Sequence, residues 1–334
     1  MLDSRIAKSL GLLFGVVVTW SAFLTSTLSG TTDIAWHALW STLHHYDPSN
    51  VAHIILITER LPRAIIAALV GASLAIAGAL MQTITRNPLA SPSILGINAG
   101  AMFFVVVAVS LLPLSAPAHY VWAALFGASV AALLVILLSR GRRGELSPLR
   151  VVLAGVAVTA MFVAFSQGLL VIDQQSFESV LYWLAGSVSG RELALVAPLL
   201  PLFGAALLLC TLLVRHANAL LLGDDMATGL GLQATTIKLL LGLVVIVLAG
   251  SSVALSGMIG FVGLIVPHMA RSLFGIDHRW LLPACALLGA SLLLLADVAS
   301  RFLIAPQEIP VGVMTALLGT PFFIYLARRN MAAQ

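Results

Sequence analysis

GASLAIAGALMQTITRNPLASPSILGINAGA, residues 71–101, is the stretch whose reading decides the fold. Its first half is small and aliphatic. Its second half opens with the polar, proline-broken run Arg86-Asn87-Pro88-Leu89-Ala90-Ser91-Pro92 and then turns apolar again. Arg63 lies upstream, and 22 uncharged residues separate it from Arg86. As a helix rising about 1.5 Å per residue they span roughly 33 Å, close to a bilayer's hydrocarbon thickness. An arginine at mid-membrane costs at least about 2.5–3.5 kcal/mol, so the two arginines belong at opposite faces. The stretch therefore reads as one crossing, a turn at the far surface, and the start of a return.

The rest of the chain has the same character. Of 334 residues, 60% are hydrophobic and only 9% charged, against about 25% charged in soluble domains. A soluble enzyme is excluded. A net charge of +4 could suggest nucleic acid, but the basic residues sit scattered at segment ends and form no patch. Cys210 and Cys285, alone in separate apolar segments, read as packing groups. Arg5 and Lys8 precede an apolar run without a small-residue cleavage site, so an uncleaved first helix is expected.

Ten apolar segments follow, near 10–28, 63–85, 94–112, 118–139, 149–172, 193–214, 234–255, 258–273, 281–304 and 310–328. An even count puts both termini on one side. With that side cytoplasmic, thirteen lysines and arginines fall inside and four (Arg60, Arg63, Arg191, Arg301) outside, which accounts for all 17. The positive-inside bias sets this orientation. The outer loop at 29–62 holds His37, His44, His45, Asp47 and His53, whose spacing matches no ligand pattern, so no metal site is expected. The inner loop at 140–148 is basic. A short amphipathic helix at the outer mouth is expected within 174–192, anchored by Trp183.

Two inner stretches carry more information. In Leu220–Leu232 (LLLGDDMATGLGL), Asp224 or Asp225 can cap a short helix that Gly229 and Gly231 end. Leu222, Met226 and Leu230 then share one face, either of a structured loop or of a docking surface. In Gly257–Arg271 (GMIGFVGLIVPHMAR), three glycines and Pro267 predict a closely packed helix prone to break, with His268 as a hydrogen-bonded structural group.

No P-loop is present, so this chain does not hydrolyse nucleotide, and no H-E-x-x-H or G-x-S-x-G suggests an enzyme. Catalytic residues and cofactors are not expected. Asp297 is the one acid that could couple transport to an ion gradient, but Arg301 at i+4 offers it a local partner. Arg60, Arg63 and Arg301 at the outer mouth either meet carboxylates of a docking partner or snorkel at the interface.

Several runs together resemble the FecCD-type permease subunits of bacterial ATP-binding-cassette importers for iron–siderophores, haem and cobalamin. They are RLPR (60–63), GALMQ, RNPLASP and LGINAGA in the opening stretch, LYWLAGS (181–187), LGDDMATGLG (222–231), IGFVGLIVPHMAR (259–271), DHRWLLP (277–283), ADVASR (296–301) and IPVGVMTALLGTPFF (309–323). The resemblance implies an all-α polytopic membrane protein with ten transmembrane helices and a type II importer permease fold, a single domain over residues 1–334. It implies a bacterial inner-membrane location, with a second permease subunit, two copies of a cytoplasmic ATPase and a periplasmic binding protein as partners. The residues implied for ATPase coupling are Leu222, Gly223, Asp224, Asp225, Ala227, Gly229 and Gly231. Those implied for binding-protein docking are Arg60, Arg63 and Arg301, and Asn87 and Leu89 fall at a cytoplasmic gate. Local likeness is strongest to ferric-dicitrate permeases, with cobalamin or haem as alternative cargo. The reading from another class is an ion-coupled secondary transporter. The pathway is expected between the second, fifth and neighbouring spans.

Overall fold

In a bilayer the backbone must satisfy its own hydrogen bonds, so apolar stretches of this length have helix as their accessible state. The computed structural model follows this rule; it describes residues 2, 4–30, 34, 36–111, 117–141, 147–172, 180, 183–304 and 307–331. In chain order the helices are α1 (Arg5–Leu28), α2 (Trp36–His44), α3 (Val51–Ile55), α4 (Leu61–Thr85), α5 (Ile97–Leu111), α6 (Pro117–Ser139) and α7 (Pro148–Ile172). They continue with α8 (Leu200–Leu220), α9 (Asp224–Gly229), α10 (Ala234–Ser256), α11 (Val262–Phe274), α12 (His278–Phe302) and α13 (Val311–Met331). Among the described residues, seven helices are long and apolar enough to cross a membrane, and Ile97–Ser110, Val262–Phe274 and Val311–Ile324 are shorter apolar helices. All ten sit on the apolar segments of the sequence.

The opening stretch forms the central post. α4 is buried along most of its length and packs against α12, α10, α11 and α1, while α5, α6 and α7 form a second group joined to it through α10. Lipid is as apolar as a side chain, so helices associate through close packing, which small residues permit. A Cβ at Gly78 would overlap the Gly263 carbonyl, and one at Gly71 would overlap that of Gly289. The backbones of α4, α11 and α12 are therefore in direct contact. Helix α4 ends at Arg86, which takes the left-handed conformation (φ 51°). Asn87 then folds the turn, its Oδ1 accepting from the Leu89 N–H at 2.9 Å and its carbonyl from the Ala90 N–H at 3.1 Å.

Three expectations need correction. The outer segment 29–62 is not an open loop: α2 lies within it, and Val51–Thr85 is one continuous 35-residue helix. A π-helical turn at Leu56–Arg60 lies just before Pro62; it eases the clash between a proline ring and the carbonyl four residues back. Second, Pro267 lies inside an unbroken α11, and the break comes earlier, between Gly257 (φ 72°) and Phe261 (φ 66°). The 13-residue α11 is about 20 Å long and falls short of a full crossing. Non-helical backbone at such a place needs protein around it, and Gly257 packs against the Trp183 carbonyl. Third, Trp183 is buried and is not an interfacial anchor; of the expected helix within 174–192, residues 174–179 and 181–182 lie outside the described residues, as do 142–146 of the basic loop. Helix α7 packs on α5, α6 and the 92–95 turn.

Close packing at Gly78 predicts a contrast between two alanine substitutions, measured as thermal unfolding in detergent. Gly78→Ala overpacks the α4–α11 contact and destabilises by about 1–3 kcal/mol. Gly242→Ala, where an added Cβ meets nothing within 4 Å, leaves the midpoint at or above that of the parent. Equal midpoints for the two variants would contradict the contact.

Candidate functional site

Polar chemistry gathers at the two ends of α4. At the outer end, Asp297 is fully buried and accepts from Arg63 Nε at 2.8 and 3.1 Å and from Arg301 Nη2. The i+4 pairing expected from sequence is present, and Arg63, from 234 residues away, completes it. Arg63 Nη1 also donates to Glu308 Oε2 at 2.7 Å and to Ser189 Oγ at 3.2 Å. Helices α4 and α12, the 187–189 segment and the approach to α13 are thus pinned to one guanidinium.

The other two outer arginines point inward. Arg301 Nη1 donates to the carbonyls of Ser26 (2.8 Å) and Ser29 (2.7 Å), and Arg60 Nη1 to that of Leu28 (2.5 Å). Both cap the last turn of α1, whose carbonyls carry the negative end of the helix dipole. Arg60 and Arg301 are buried in this role, and neither presents a free guanidinium to an outside partner. Arg63, through its partly exposed partner Glu308, lies nearest the surface. Beyond it, His53 bonds Ser41 Oγ at 2.9 Å and the Asp47 N–H at 3.1 Å, tying α2 to α3.

The inner end carries the short helix α9. It does begin at Asp224, but the expected capping is absent: Gly223 (φ 116°) is the N-cap, and no side chain caps it. Asp224 instead bonds Arg86 Nη2 and Lys238 Nζ, each at 2.5 Å. The helix is therefore clamped to the opening turn on one side and to α10 on the other. Ala227 is buried, and Gly231 (φ 81°) turns the chain after the helix. Leu222, Met226 and Leu230 are 62%, 60% and 64% exposed, and Asp225 and Gly229 lie beside them on the open side. Asn87 is exposed and Leu89 half-buried at the adjoining turn.

Several participants left little mark in the sequence. His278 is buried, its Nδ1 donating to Asn218 Oδ1 (2.7 Å) and its Nε2 paired with Thr83 Oγ1 (2.8 Å). Asn218 Nδ2 in turn donates to Asp277 at 2.6 Å. Burial pushes the Asp277 carboxyl up, but hydrogen bonds from the Arg279 N–H and Asn218 prevail and hold it below the usual range. Lys238 and Glu308 were also hidden, since each finds its partner in a distant element. His268 packs edge-on to Phe322. Among the described residues no group of three metal-ligating side chains occurs.

Residues 17–329 match the model of the FecCD transport family. The chain is 46% identical over 316 residues to the protein named Probable siderophore transport system permease protein YfiZ of Bacillus subtilis (strain 168), covering 94% of each. It is 37% identical to the hemin transport system permease protein HmuU of Yersinia pestis, covering 98% of each. It is 40% identical to the Fe(3+) dicitrate transport system permease protein FecC of Escherichia coli (strain K12), covering 81% of this chain and 82% of that one. Among solved structures, a metal-chelate type ABC transporter in an inward-facing conformation superposes with a TM-score of 0.81 at 29% identity, covering 95% of this chain and 98% of that one. With the match running over nearly its whole length, the chain belongs to the FecCD transport family.

Proposed function

We propose that this chain is the membrane permease subunit of an ATP-driven importer for iron(III) chelates of the siderophore type, with ferric dicitrate as the leading candidate cargo. The observation that carries the reading is the exposed apolar face of α9. Three large apolar side chains, Met226 on the helix and Leu222 and Leu230 just outside its two ends, are exposed on a segment clamped by Asp224 to Arg86 and Lys238. A rigid apolar patch of this kind suits the socket of another protein. We assign that protein as a cytoplasmic ATPase, present in two copies, which contacts Leu222, Gly223, Asp224, Asp225, Gly229 and Gly231, with the buried Ala227 packed beneath them. Motion of α9 then reaches Arg86 through Asp224, and Arg86 begins the turn holding Asn87 and Leu89, the proposed inner gate. The chain itself performs no chemistry in this scheme.

The complete architecture in this reading is a single domain with ten membrane segments in a bacterial inner membrane, both termini cytoplasmic, paired with a second permease subunit. The pathway lies between the subunits. A groove of about 480 Å³ beside α7, lined by Ile94, Gly155, Thr159 and Val163, supports α7 as a wall in place of the enclosed α4. An acidic periplasmic binding protein docks over Arg63, with Arg60 and Arg301 contributing to the local field. The ion-coupled alternative is disfavoured because Asp297, its one candidate acid, is fully buried and already engaged by Arg63 and Arg301.

Three outcomes test the proposal. Uptake of ferric dicitrate into proteoliposomes holding the complete complex requires internal or external ATP on the ATPase side and survives an uncoupler; collapse by uncoupler at constant ATP contradicts it. Leu222→Asp with Met226→Asp weakens association with the ATPase by about 2 kcal/mol or more, a thirtyfold effect in pull-down titration, while the permease still inserts. Arg63→Gln reduces binding-protein affinity about tenfold, mainly through a slower on-rate that high salt masks. Unchanged association at any salt removes the docking assignment.

A further inference from the structure

A cavity of about 230 Å³ opens at the inner end of α4, between the end of α8 and the α11–α12 turn. Its walls include Gln82, Arg86, Leu221, Arg271, Ile276 and His278. The two arginines differ in how they are satisfied. Arg86 donates to Asp224 through Nη2, and among the described residues its Nε and Nη1 have no other partner.

Arg271 has less. It is half-buried, and Nη1 donates to Gln82 Oε1 at 2.5 Å. No carboxylate pairs with it among the described residues. Gln82 is itself held in place, its Nε2 directed at the carbonyls of Leu264 (3.4 Å) and Gly263 (3.5 Å). A neutral, oriented amide thus aims a guanidinium into a cavity without neutralising it. Both nitrogens of His278 are engaged by Asn218 and Thr83, so the ring shapes the wall and has no nitrogen left for a ligand. Taking a guanidinium partly out of water without a counter-ion is costly. Within the described residues that cost is met only by the neutral oxygen of Gln82.

We infer that this cavity is an anion site that takes a phosphate group, bound by the free guanidinium edges of Arg271 and Arg86. The guanidinium fork matches phosphate oxygens geometrically, and the volume admits a phosphate monoester but not a whole nucleotide. Arg86 and Arg271 both belong to the inner basic set that marks the cytoplasmic surface. The phosphate can therefore come from an anionic lipid headgroup of the inner leaflet or from free phosphate in the cytoplasm. The site shares Arg86 with the clamp on α9 but uses none of the exposed apolar side chains Leu222, Met226 and Leu230.

The test uses the full chain in two arms. In lipid-depleted maltoside micelles, binding of labelled inorganic phosphate is measured by equilibrium dialysis against matched chloride. In nanodiscs of phosphatidylglycerol and phosphatidylcholine, native mass spectrometry counts phosphatidylglycerol retained on release. The parent chain binds one phosphate, or retains one phosphatidylglycerol. Arg271→Gln weakens binding about ten- to hundredfold, as expected for loss of charge-assisted hydrogen bonds, and Arg271→Lys restores part of it. Arg86→Gln, at a more exposed position, gives a smaller loss and serves as the variant if Arg271→Gln does not fold. Saturable phosphate binding identifies the free ion as ligand; retention of phosphatidylglycerol alone identifies the headgroup. No binding in either arm, or binding unchanged by Arg271→Gln and Arg86→Gln, overturns the site.

Discussion

The contact on which the rest of the structure depends is backbone against backbone, where α4 meets α11 at Gly78–Gly263 and α12 at Gly71–Gly289. In lipid, apolar side chains gain little by leaving one apolar surface for another, so a bundle holds through dispersion contacts and fit. Glycine lets two helix axes approach until carbonyls touch the facing turn. That brings α4 within reach of three neighbours at once and explains why its polar ends find partners. Arg63 reaches Asp297 because α12 lies against α4, and Gln82 reaches α11 carbonyls for the same reason.

The two ends of this post do different work. The outer end is electrostatically closed: Asp297 is shared by Arg63 and Arg301, while Arg60 and Arg301 satisfy carbonyls that end α1. Such a buried network adds little net stability against an apolar substitute, but removing one member leaves an uncompensated charge. It therefore serves to fix geometry. The inner end is open: Asp224 joins the turn after α4 to α9 and α10, and α9 offers an apolar face to solvent. A helix bundle that is rigid outside and presents a clamped lever inside is suited to being moved by a partner.

Much of this was legible in the residues. The spacing of Arg63 and Arg86 gave the length of α4, the Asn87-Pro88 run gave the turn, and Leu222, Met226 and Leu230 gave the exposed face of α9. Local signals misled where a tertiary partner changed a residue's role. Arg60 looked like a mouth residue meeting a docking partner or snorkelling at the interface, yet it is buried because α1 ends beside it and supplies carbonyls. Asp224 looked like an N-cap, yet two cations drew it away. Pro267 looked like a break, but the chain breaks at Gly257–Phe261, where the neighbouring 183–186 segment supports irregular backbone. Glu308 and Lys238 had no signal of their own, because a salt bridge between distant elements leaves no periodicity.

The central claim, that α9 is the surface through which an ATPase moves this chain, is tested most directly by crosslinking at Met226. The two native thiols, Cys210 and Cys285, are buried, so a benzophenone maleimide attached to Met226→Cys labels one place. In inner-membrane vesicles containing the ATPase expressed with this chain, illumination should yield a permease–ATPase adduct from Met226→Cys whose amount changes when ATP is added. Ser49→Cys, exposed between α2 and α3, should yield none. Absence of the Met226 adduct, or equal adduct from both positions, would contradict the account.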